Sequence, residues 1–290
     1  MKRFIALLGV LIFLLPGCSA PTSSADIAAT TLPVYQFATM LCEGTGLTVS
    51  RLVTESVSCL HDYTLNVSQV KAVENADLVI ISGAGLEDFM ADLLIGKEIV
   101  DASTGIALLE SCHDHDHEAE HGHSHDSDSH IWLSPANALI IAENICHGLM
   151  AKYPQHNEIF LTNLQALQQQ LLQLQSYGQE QLSDLSFRDM ITFHDGFAYM
   201  AQAFDLHILA AVEEESGAET SAKELIELIT LAQEHNIPAI FTESNGSTSA
   251  AQIISAEIGI PIYTLDMAMS GDDYFKAMYQ NIDCIREALS

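Results

Sequence analysis

The sequence predicts an α/β fold of two lobes, each with a central parallel β-sheet flanked by helices, and three features indicate it. Short apolar runs alternate with helical patterns in both halves of the chain, which is typical of parallel sheets covered by helices. The 290 residues, 48% of them apolar, are enough for one large domain or for two lobes that each bury a core. Between the halves lies a Gln- and Leu-rich stretch, which predicts one long rigid helix that joins the lobes and leaves a cleft between them.

The first half predicts an N-terminal lobe at residues 27–152. Its apolar runs predict strands at residues 26–31, 47–53, 77–82 and 98–102. Helical patterns fall at residues 33–44, 68–76, 86–94 and 134–150. We expect Ser68 to cap the second helix, and Ser134 to cap the fourth with Pro135 in its first turn. A His-rich loop interrupts this lobe at residues 112–129.

The linking helix is predicted at residues 153–184. An apolar residue recurs at steps of four and three, at Phe160, Leu164, Leu167, Leu171 and Leu174. That spacing puts one apolar stripe on a single helix. The Gln- and Leu-rich part, from residue 157 to about residue 183, has about 27 residues and would span roughly 40 Å. A coiled-coil arm is the alternative, but a second α/β half follows, which favours a rod between two lobes.

The second half predicts a C-terminal lobe at residues 185–290. Its strands are expected at residues 190–193, 207–212, 239–242 and 261–265. Its helices are expected at residues 197–203, 221–235, 248–258 and 272–289. The two halves share this alternation without an obvious repeat of sequence.

The N-terminus predicts export. Lys2 and Arg3 precede twelve apolar or Gly residues, a length that fits a signal peptide and is short for a membrane span. The segment LPGC that ends at Cys18 resembles a bacterial lipobox. We therefore expect a lipoprotein signal peptide at residues 1–17, a lipid anchor on Cys18 and a flexible tether at residues 18–26; ordinary signal cleavage nearby is the alternative. No later apolar run reaches the length of a membrane helix, so contact with the cell membrane is expected only through the anchor.

Charge and cysteine content exclude some functions. The chain has 10 Lys and Arg against 39 Asp and Glu, a net charge of −29, which argues against nucleic-acid binding. Most of this acidity is accounted for by solubility. Five cysteines besides Cys18 remain, an odd number, so at least one is free, metal-bound or intermolecular. They are Cys42, Cys59, Cys112, Cys146 and Cys284; Cys42 and Cys59 are a candidate pair, but the sequence does not settle the pairing.

Polar residues that follow predicted strands indicate a metal site in the cleft. Ligands of open α/β sheets bind beyond the carboxyl ends of the strands. In the first lobe His61 follows the second strand, and the excursion after the fourth strand ends at His130. In the second lobe His194 and Asp266 each directly follow a strand. Three imidazoles and one carboxylate suit four-coordinate Zn²⁺, with Mn²⁺ and Fe²⁺ as alternatives; a lone His in any one of these loops would more often be structural.

An enzyme is not expected. A zinc hydrolase keeps an open coordination position for water, whereas four protein ligands close it. The carboxylates of Glu213, Glu214, Glu215 and Glu243 are available near strand ends, but neither an H-E-x-x-H nor a G-x-S-x-G motif occurs. A metal-buffering protein or an adhesin is a further alternative.

Several segments together resemble a known family. They include LHDYTLNVSQVKAVENADLVIISGAGLEDFM, HIWLSP, ITFHDGFAYMAQAF, ELIELITLAQEHNIPAIFTES and TLDMAMSGDDYFKAMYQN. In this order they are similar to the zinc/manganese-type metal-binding lipoproteins, the solute-binding components of bacterial ABC importers, and to their zinc-specific branch with a His-rich loop. The resemblance implies capture of Zn²⁺ and its delivery to an integral-membrane permease with a cytoplasmic ATPase. No P-loop occurs in this chain, so a partner must supply the energy.

The resemblance implies four metal ligands, each of which matches a motif of the family. His61 matches a P-H-D-Y type motif with Leu60 in place of Pro, and His130 matches H-I-W-L-D-P with Ser134 in place of Asp. His194 matches an F-H-D type motif, in which manganese-type members tend to carry Glu, so it favours zinc. Asp266 matches the Asp after the last strand. The segment TESNGSTSA departs from the usual Glu-Pro-Gln of the family, which affects only the supporting role of Glu243.

The tract SCHDHDHEAEHGHSHDSDSHIW holds seven of the 13 histidines. His130 is expected to be a ligand of the main site. The other six are spaced among Asp, Glu, Ser and Gly, at His113, His115, His117, His121, His123 and His125. That composition cannot bury a core, so we expect a loop that collects metal weakly, with Cys112 as a minor further donor; a dispensable solvated loop is the alternative. We expect a monomer whose lobes move only modestly, because one long helix resists hinge opening.

Overall fold

The computed structural model describes residues 25–55, 60, 63–110, 127–212, 220–269 and 271–290. Two four-stranded sheets, each entirely parallel, are flanked by helices and linked by one long helix. The predicted α/β architecture is therefore confirmed. The domain boundaries drawn from the sequence stay predictions.

The N-terminal half forms the first sheet. Its strands are β1 (Ile27–Ala29), β2 (Val49–Arg51), β3 (Leu78–Ile81) and β4 (Ile99–Asp101), in the order β2-β1-β3-β4. Its helices are α1 (Leu32–Leu41), α2 (Val67–Asn75), α3 (Ala91–Leu94) and α4 (Pro135–Lys152). The helix predicted at residues 86–94 is shorter than expected, because Asp88–Met90 form a 3₁₀ turn before α3.

Helix capping in this half follows the sequence in one case and not in the other. Ser134 caps α4 by accepting the Asn137 N–H at 3.4 Å, with Pro135 in the first turn, as predicted. Helix α2 is capped by Asn66 rather than Ser68, so that prediction was wrong by two residues. The Asn66 side chain accepts the N–H of Gln69 at 3.1 Å, and the Gln69 side chain accepts the N–H of Asn66 at 2.7 Å. This reciprocal capping box satisfies two backbone donors, which explains why the helix starts earlier.

The C-terminal half repeats the topology of the first. Its strands are β5 (Asp189–Phe193), β6 (His207–Ala211), β7 (Ile240–Glu243) and β8 (Ile262–Leu265), in the order β6-β5-β7-β8. Its helices are α6 (Ala198–Ala203), α7 (Ala222–Glu234), α8 (Ser249–Ile258) and α9 (Tyr274–Leu289). The direction of strand order changes between β5 and β7, and such a switch point opens a crevice beyond the strand ends.

Helix α5 (Asn157–Gln181) joins the two halves. It packs along α1 and α4 of the first half and along α9 of the second. All five residues of the predicted apolar stripe, from Phe160 to Leu174, are buried against these helices. The prediction of a helix that joins the two halves is therefore confirmed, and the alternative of a free coiled-coil arm is not.

The largest apolar core crosses from one half to the other. It includes Ile27 of β1, Leu167 of α5 and Met267 after β8. A second cluster lies between the outer face of the second sheet and helices α7 and α8, with Ile191 and Ile254 among its buried members. The composition allowed either one large domain or two lobes with a core each, and α5 and α9 merge most of the apolar faces of the halves into one core. Such a continuous core resists separation of the halves.

Among the described residues, none of the helices is both long and apolar enough to cross a membrane. Cys42, Cys146 and Cys284 are free thiols. Burial raises the pKa of Cys42 to about 12 and those of Cys146 and Cys284 to about 11, so these thiols are poor metal ligands at neutral pH. Cys18, Cys59 and Cys112 lie outside the described residues.

A carboxyl group is buried at the equivalent crevice of the first sheet. Glu87 is 4% exposed and accepts the Thr30 hydroxyl at 2.6 Å and the N–H groups of Ser82 and Gly83 at 2.7 and 3.0 Å. Burial raises its pKa from 4.5 to about 7, even though these three donors act in the opposite direction. The folded protein therefore holds this proton more tightly than the unfolded chain does.

Glu87→Gln is expected to remove part of the pH dependence of stability. Because the folded pKa is the higher one, Glu87 contributes stability that is fully present below about pH 4.5 and lost as the pH rises through about 7. The wild type should therefore lose about 3 kcal/mol relative to the variant over that window. Urea unfolding of both proteins at several pH values measures this difference. A difference that stays constant from pH 4.5 to 7.5 would contradict the assignment.

Candidate metal centre

Two of the predicted ligands, His130 and His194, meet between the halves. His130 precedes the 3₁₀ turn Ile131–Leu133 that leads into α4, and His194 directly follows β5 at the switch point of the second sheet. Their Nε2 atoms are 3.5 Å apart, and each side chain is 9% exposed. Two nitrogens bound to one tetrahedral Zn²⁺ at its usual bond length are about 3.3–3.4 Å apart. The pair is therefore spaced as two ligands of a single cation.

Each imidazole has a buried carboxyl group on its other side. Asp128 Oδ1 lies 2.7 Å from His130 Nδ1 and also accepts the His130 backbone N–H at 2.8 Å. Glu243, the last residue of β7, has Oε2 3.8 Å from His194 Nδ1. Both carboxyl side chains are 2% exposed. The Nδ1 atoms thus face protein carboxyl groups, while the Nε2 atoms face each other.

The side chains around Gly196 leave no room for a larger residue at that position. A Cβ atom there would lie 2.8 Å from His194 Cδ2, 2.9 Å from His130 Nδ1 and 2.5 Å from Met267 Cε. Glycine therefore permits the close approach of three segments: the end of the His-rich tract, the β5–α6 turn and the segment after β8.

Asp266 follows β8 and is held by α9. Its backbone N–H donates to Asn281 Oδ1 at 2.8 Å, and its carbonyl accepts Asn281 Nδ2 at 2.6 Å. Its carboxylate accepts the Ala268 N–H at 2.7 Å. Across the part of the chain that the structure describes, no three His, Cys, Asp or Glu side chains stand close enough to hold one metal ion. Asp266 precedes Met267, whose side chain lies beside Gly196 with the two histidine rings. The role of Asp266 as a metal ligand stays a prediction.

The segment that begins with Asp266 is fastened to the N-terminal half. We define the Asp266 loop as residues 266–269 and 271–273. The carbonyls of this loop accept the Leu32 N–H at 3.0 Å, Trp132 Nε1 at 2.7 Å and the Arg51 guanidinium at 2.6 Å. Gln36 adds a bond to the Asp273 carboxylate at 3.2 Å. The loop therefore belongs to the second half in sequence and is bonded to the first half in space.

The remaining candidates lie outside the described residues. They are His61, Cys18 and Cys112, the tract residues His113, His115, His117, His121, His123 and His125, and the carboxylates Glu213, Glu214 and Glu215. Residues that flank two of these segments are placed. The buried Leu60 accepts the Tyr63 N–H at 3.0 Å across His61, and Glu110 and Ser127 form an antiparallel bridge across the His-rich tract. The tract therefore starts and ends at one point, three residues before His130.

Sequence reasoning missed the contact between Asp128 and His130. Asp128 was counted within the His-rich loop at residues 112–129, where Asp is common. The only signal was its spacing of two residues before His130, which allows an Asp side chain to reach both the backbone and the ring of that residue. It is the one Asp-x-His spacing in the tract, but such a spacing does not by itself show that the two side chains meet, because the same spacing also occurs at Asp205 and His207.

Comparisons with known proteins identify the family and the relatives of this chain. The family model described as "Zinc-uptake complex component A periplasmic" (ZnuA) matches residues 27–288. A protein of Treponema pallidum named for metal binding is 28% identical and covers 99% of this chain and 96% of its own length. The zinc-binding lipoprotein AdcA of Streptococcus pneumoniae is 30% identical over 99% of this chain. This chain spans only 61% of the length of AdcA.

A solved structure gives the same fold. The crystal structure of a zinc-bound deletion mutant of ZnuA superposes with a TM-score of 0.77 at 28% identity and covers 92% of this chain and 98% of its own. The family match spans both sheets, helix α5 and both placed histidines. From this match, the chain belongs to the ZnuA family, the periplasmic component A of zinc-uptake complexes.

Proposed function

We propose that this chain captures Zn²⁺ outside the cytoplasm and delivers it to an ABC permease driven by a cytoplasmic ATPase. The observation that carries the proposal is the 3.5 Å separation of His130 Nε2 and His194 Nε2 in a buried position between the halves. His61 and Asp266 would complete four-coordinate binding. Imidazole nitrogens favour Zn²⁺ over the harder Mn²⁺, which prefers oxygen ligands, and the ZnuA and AdcA relatives are named for zinc.

Calorimetric titration of the mature chain with Zn²⁺ and with Mn²⁺ tests the binding step. We expect one tight zinc site and much weaker manganese binding. Uptake of labelled zinc by cells with and without the gene tests delivery. Tight zinc binding without any loss of uptake in the deletion strain would favour metal buffering over transport. Tight binding of manganese in place of zinc would favour the alternative metal.

The His-rich tract is proposed to collect zinc close to the main site. The Glu110–Ser127 bridge closes the base of the tract, so its six histidines are tethered a few residues from His130. A solvated segment must lose conformational entropy to bind a metal, which makes its sites weaker than a preformed pair.

Replacement of residues 113–125 by a short Gly/Ser linker is expected to remove the weak sites and leave one tight site. This replacement keeps both members of the Glu110–Ser127 bridge, so the position of His130 is preserved. Calorimetry with excess Zn²⁺ would show a stoichiometry that falls to one. Loss of the tight site as well would mean that the tract supplies a ligand of the main centre.

The chain is proposed to act as a monomer attached to the cell membrane through lipid on Cys18. Export fits the periplasmic component of the family and the lipoprotein relative AdcA. Membrane fractionation of cells that express the full chain tests the attachment, and recovery of the protein entirely in the soluble fraction would contradict it. Light scattering of the mature chain tests the oligomeric state.

A further inference from the structure

We infer that Asp128 is a positioning residue that holds the His130 ring with its proton on Nδ1, so that Nε2 is presented to the metal. This inference rests on the proposed capture of Zn²⁺ by His130. Asp128 contacts the proposed metal ligand His130 and not the metal ion itself.

The first argument is the pair of bonds that one carboxylate oxygen makes. Asp128 Oδ1 lies 2.8 Å from the backbone N of His130 and 2.7 Å from its ring Nδ1. A carboxylate only accepts hydrogen bonds, so this contact is satisfied when Nδ1 carries the proton. The lone pair then resides on Nε2, the atom that faces His194 Nε2 at 3.5 Å. A neutral imidazole binds a metal through its unprotonated nitrogen.

The second argument is that Asp128 is itself held in place. Its N–H donates to the Leu109 carbonyl at 2.8 Å, and its carbonyl accepts the Tyr199 hydroxyl at 3.0 Å. Tyr199 lies on α6, the helix that follows His194. The backbone of Asp128 is thus held from both sides of the cleft, and its side chain is 2% exposed. A fixed acceptor sheltered from water orients a ring better than a solvated one, because water does not compete for the ring N–H.

The third argument is the second oxygen of the carboxylate. Asp128 Oδ2 is buried and has no hydrogen-bond partner among the described residues. Burial of a polar atom in this way costs free energy. The fold alone does not require an acid here, because a residue without charge could occupy the turn at lower cost. The bond to the His130 ring supplies a reason for it.

Glu243 offers a weaker version of the same arrangement. Its Oε2 is 3.8 Å from His194 Nδ1, which is beyond a direct hydrogen bond. We therefore expect the effect on ring orientation to be larger at Asp128 than at Glu243.

The chain contains a matched control for Asp128. Asp101 Oδ1 accepts the backbone N–H of Ser103 at 2.9 Å and its hydroxyl at 2.7 Å. This is the same two-residue turn in the same half of the molecule, with serine in the place of histidine. Asp101→Ala therefore reports the cost of losing such a turn without any change at His130.

The test measures the protonation of the ring and the zinc affinity separately. Nitrogen-15 NMR of the metal-free protein, with the His130 signals assigned by comparison with His130→Gln, shows which ring nitrogen carries the proton. Chelator competition gives the affinity for Zn²⁺. We expect Asp128→Ala to move a large share of the proton to Nε2 and to weaken zinc binding about 10–100-fold. Asp128→Asn keeps an acceptor and should restore part of both properties, whereas Asp101→Ala should change neither.

Two results would overturn the inference. One is an unchanged Nδ1–H ring in Asp128→Ala, and the other is an unchanged zinc affinity in that variant when wild type binds tightly. If wild type itself fails to bind zinc tightly, the proposed function fails. The NMR measurement needs no metal, so it still reports on Asp128 in that case. If Asp128→Ala does not fold, the same NMR and affinity measurements on Asp128→Asn test the inference.

Discussion

His194→Ala and His130→Ala should each lower the affinity for Zn²⁺ by roughly 10²–10³-fold. Structural zinc sites bind with about 10–16 kcal/mol shared among four ligands, or about 2.5–4 kcal/mol for each ligand. The two rings are buried and already stand at ligand spacing, with Nε2 atoms 3.5 Å apart. Removal of either ring therefore removes a preformed ligand rather than one recruited at a cost in entropy. Competition with a chelator of known affinity measures the loss.

His207→Ala is the control for these variants. His207 belongs to the same half as His194 but lies at the start of β6, and its side chain is 64% exposed next to Asp189. Its removal should leave zinc affinity unchanged. Equal losses in His207→Ala and His194→Ala would mean that the histidine pair is not the tight site.

Trp132→Ala is expected to lower the free energy of unfolding by about 3–5 kcal/mol, as removal of a buried aromatic ring does. Trp132 is 1% exposed, and its Nε1–H donates to the Met267 carbonyl at 2.7 Å. Its own carbonyl accepts the Tyr274 hydroxyl at 2.8 Å. The ring therefore fills the core and also bonds the N-terminal half to the Asp266 loop. Urea unfolding of the metal-free protein measures the loss.

Trp132→Phe separates the two contributions. It keeps most of the buried ring but leaves the Met267 carbonyl without its donor, which costs about 1–3 kcal/mol. Because that carbonyl fixes the residue next to Asp266, zinc affinity should fall in both variants. A Phe variant as stable as wild type, with unchanged affinity, would show that the bond across the halves contributes little.

The sequence predicted those features that depend on local pattern. The stripe from Phe160 to Leu174 predicted α5, because apolar residues at steps of three and four can face a core only on a helix. The apolar runs predicted the eight parallel strands in order. The family match also confirms the resemblance to zinc-binding components of importers and the expectation that the chain is not an enzyme.

Features that depend on long-range contacts were beyond the sequence. His130 and His194 are 64 residues apart, and the strand-end rule gave their neighbourhood but not which ring atoms face each other. The cap of α2 was missed for a different, local reason: Asn66 and Gln69, three residues apart, form a reciprocal capping box that was overlooked in favour of Ser68. His61 and Asp266 stay predicted ligands. The His194 and His130 variants test the shared site, not whether His61 and Asp266 belong to it.

The attachment of the Asp266 loop to the opposite half makes the centre asymmetric. Hydrogen bonds from Leu32, Trp132 and Arg51 fix the Asp266 loop to the half that carries His130. His194, in contrast, lies at the end of β5 in the other half. Separation of the two halves would have to break these hydrogen bonds. A bound ion would instead leave by stepwise dissociation of its ligands, as it does from a small chelator. Its residence time would then be set by the rate at which a single imidazole dissociates.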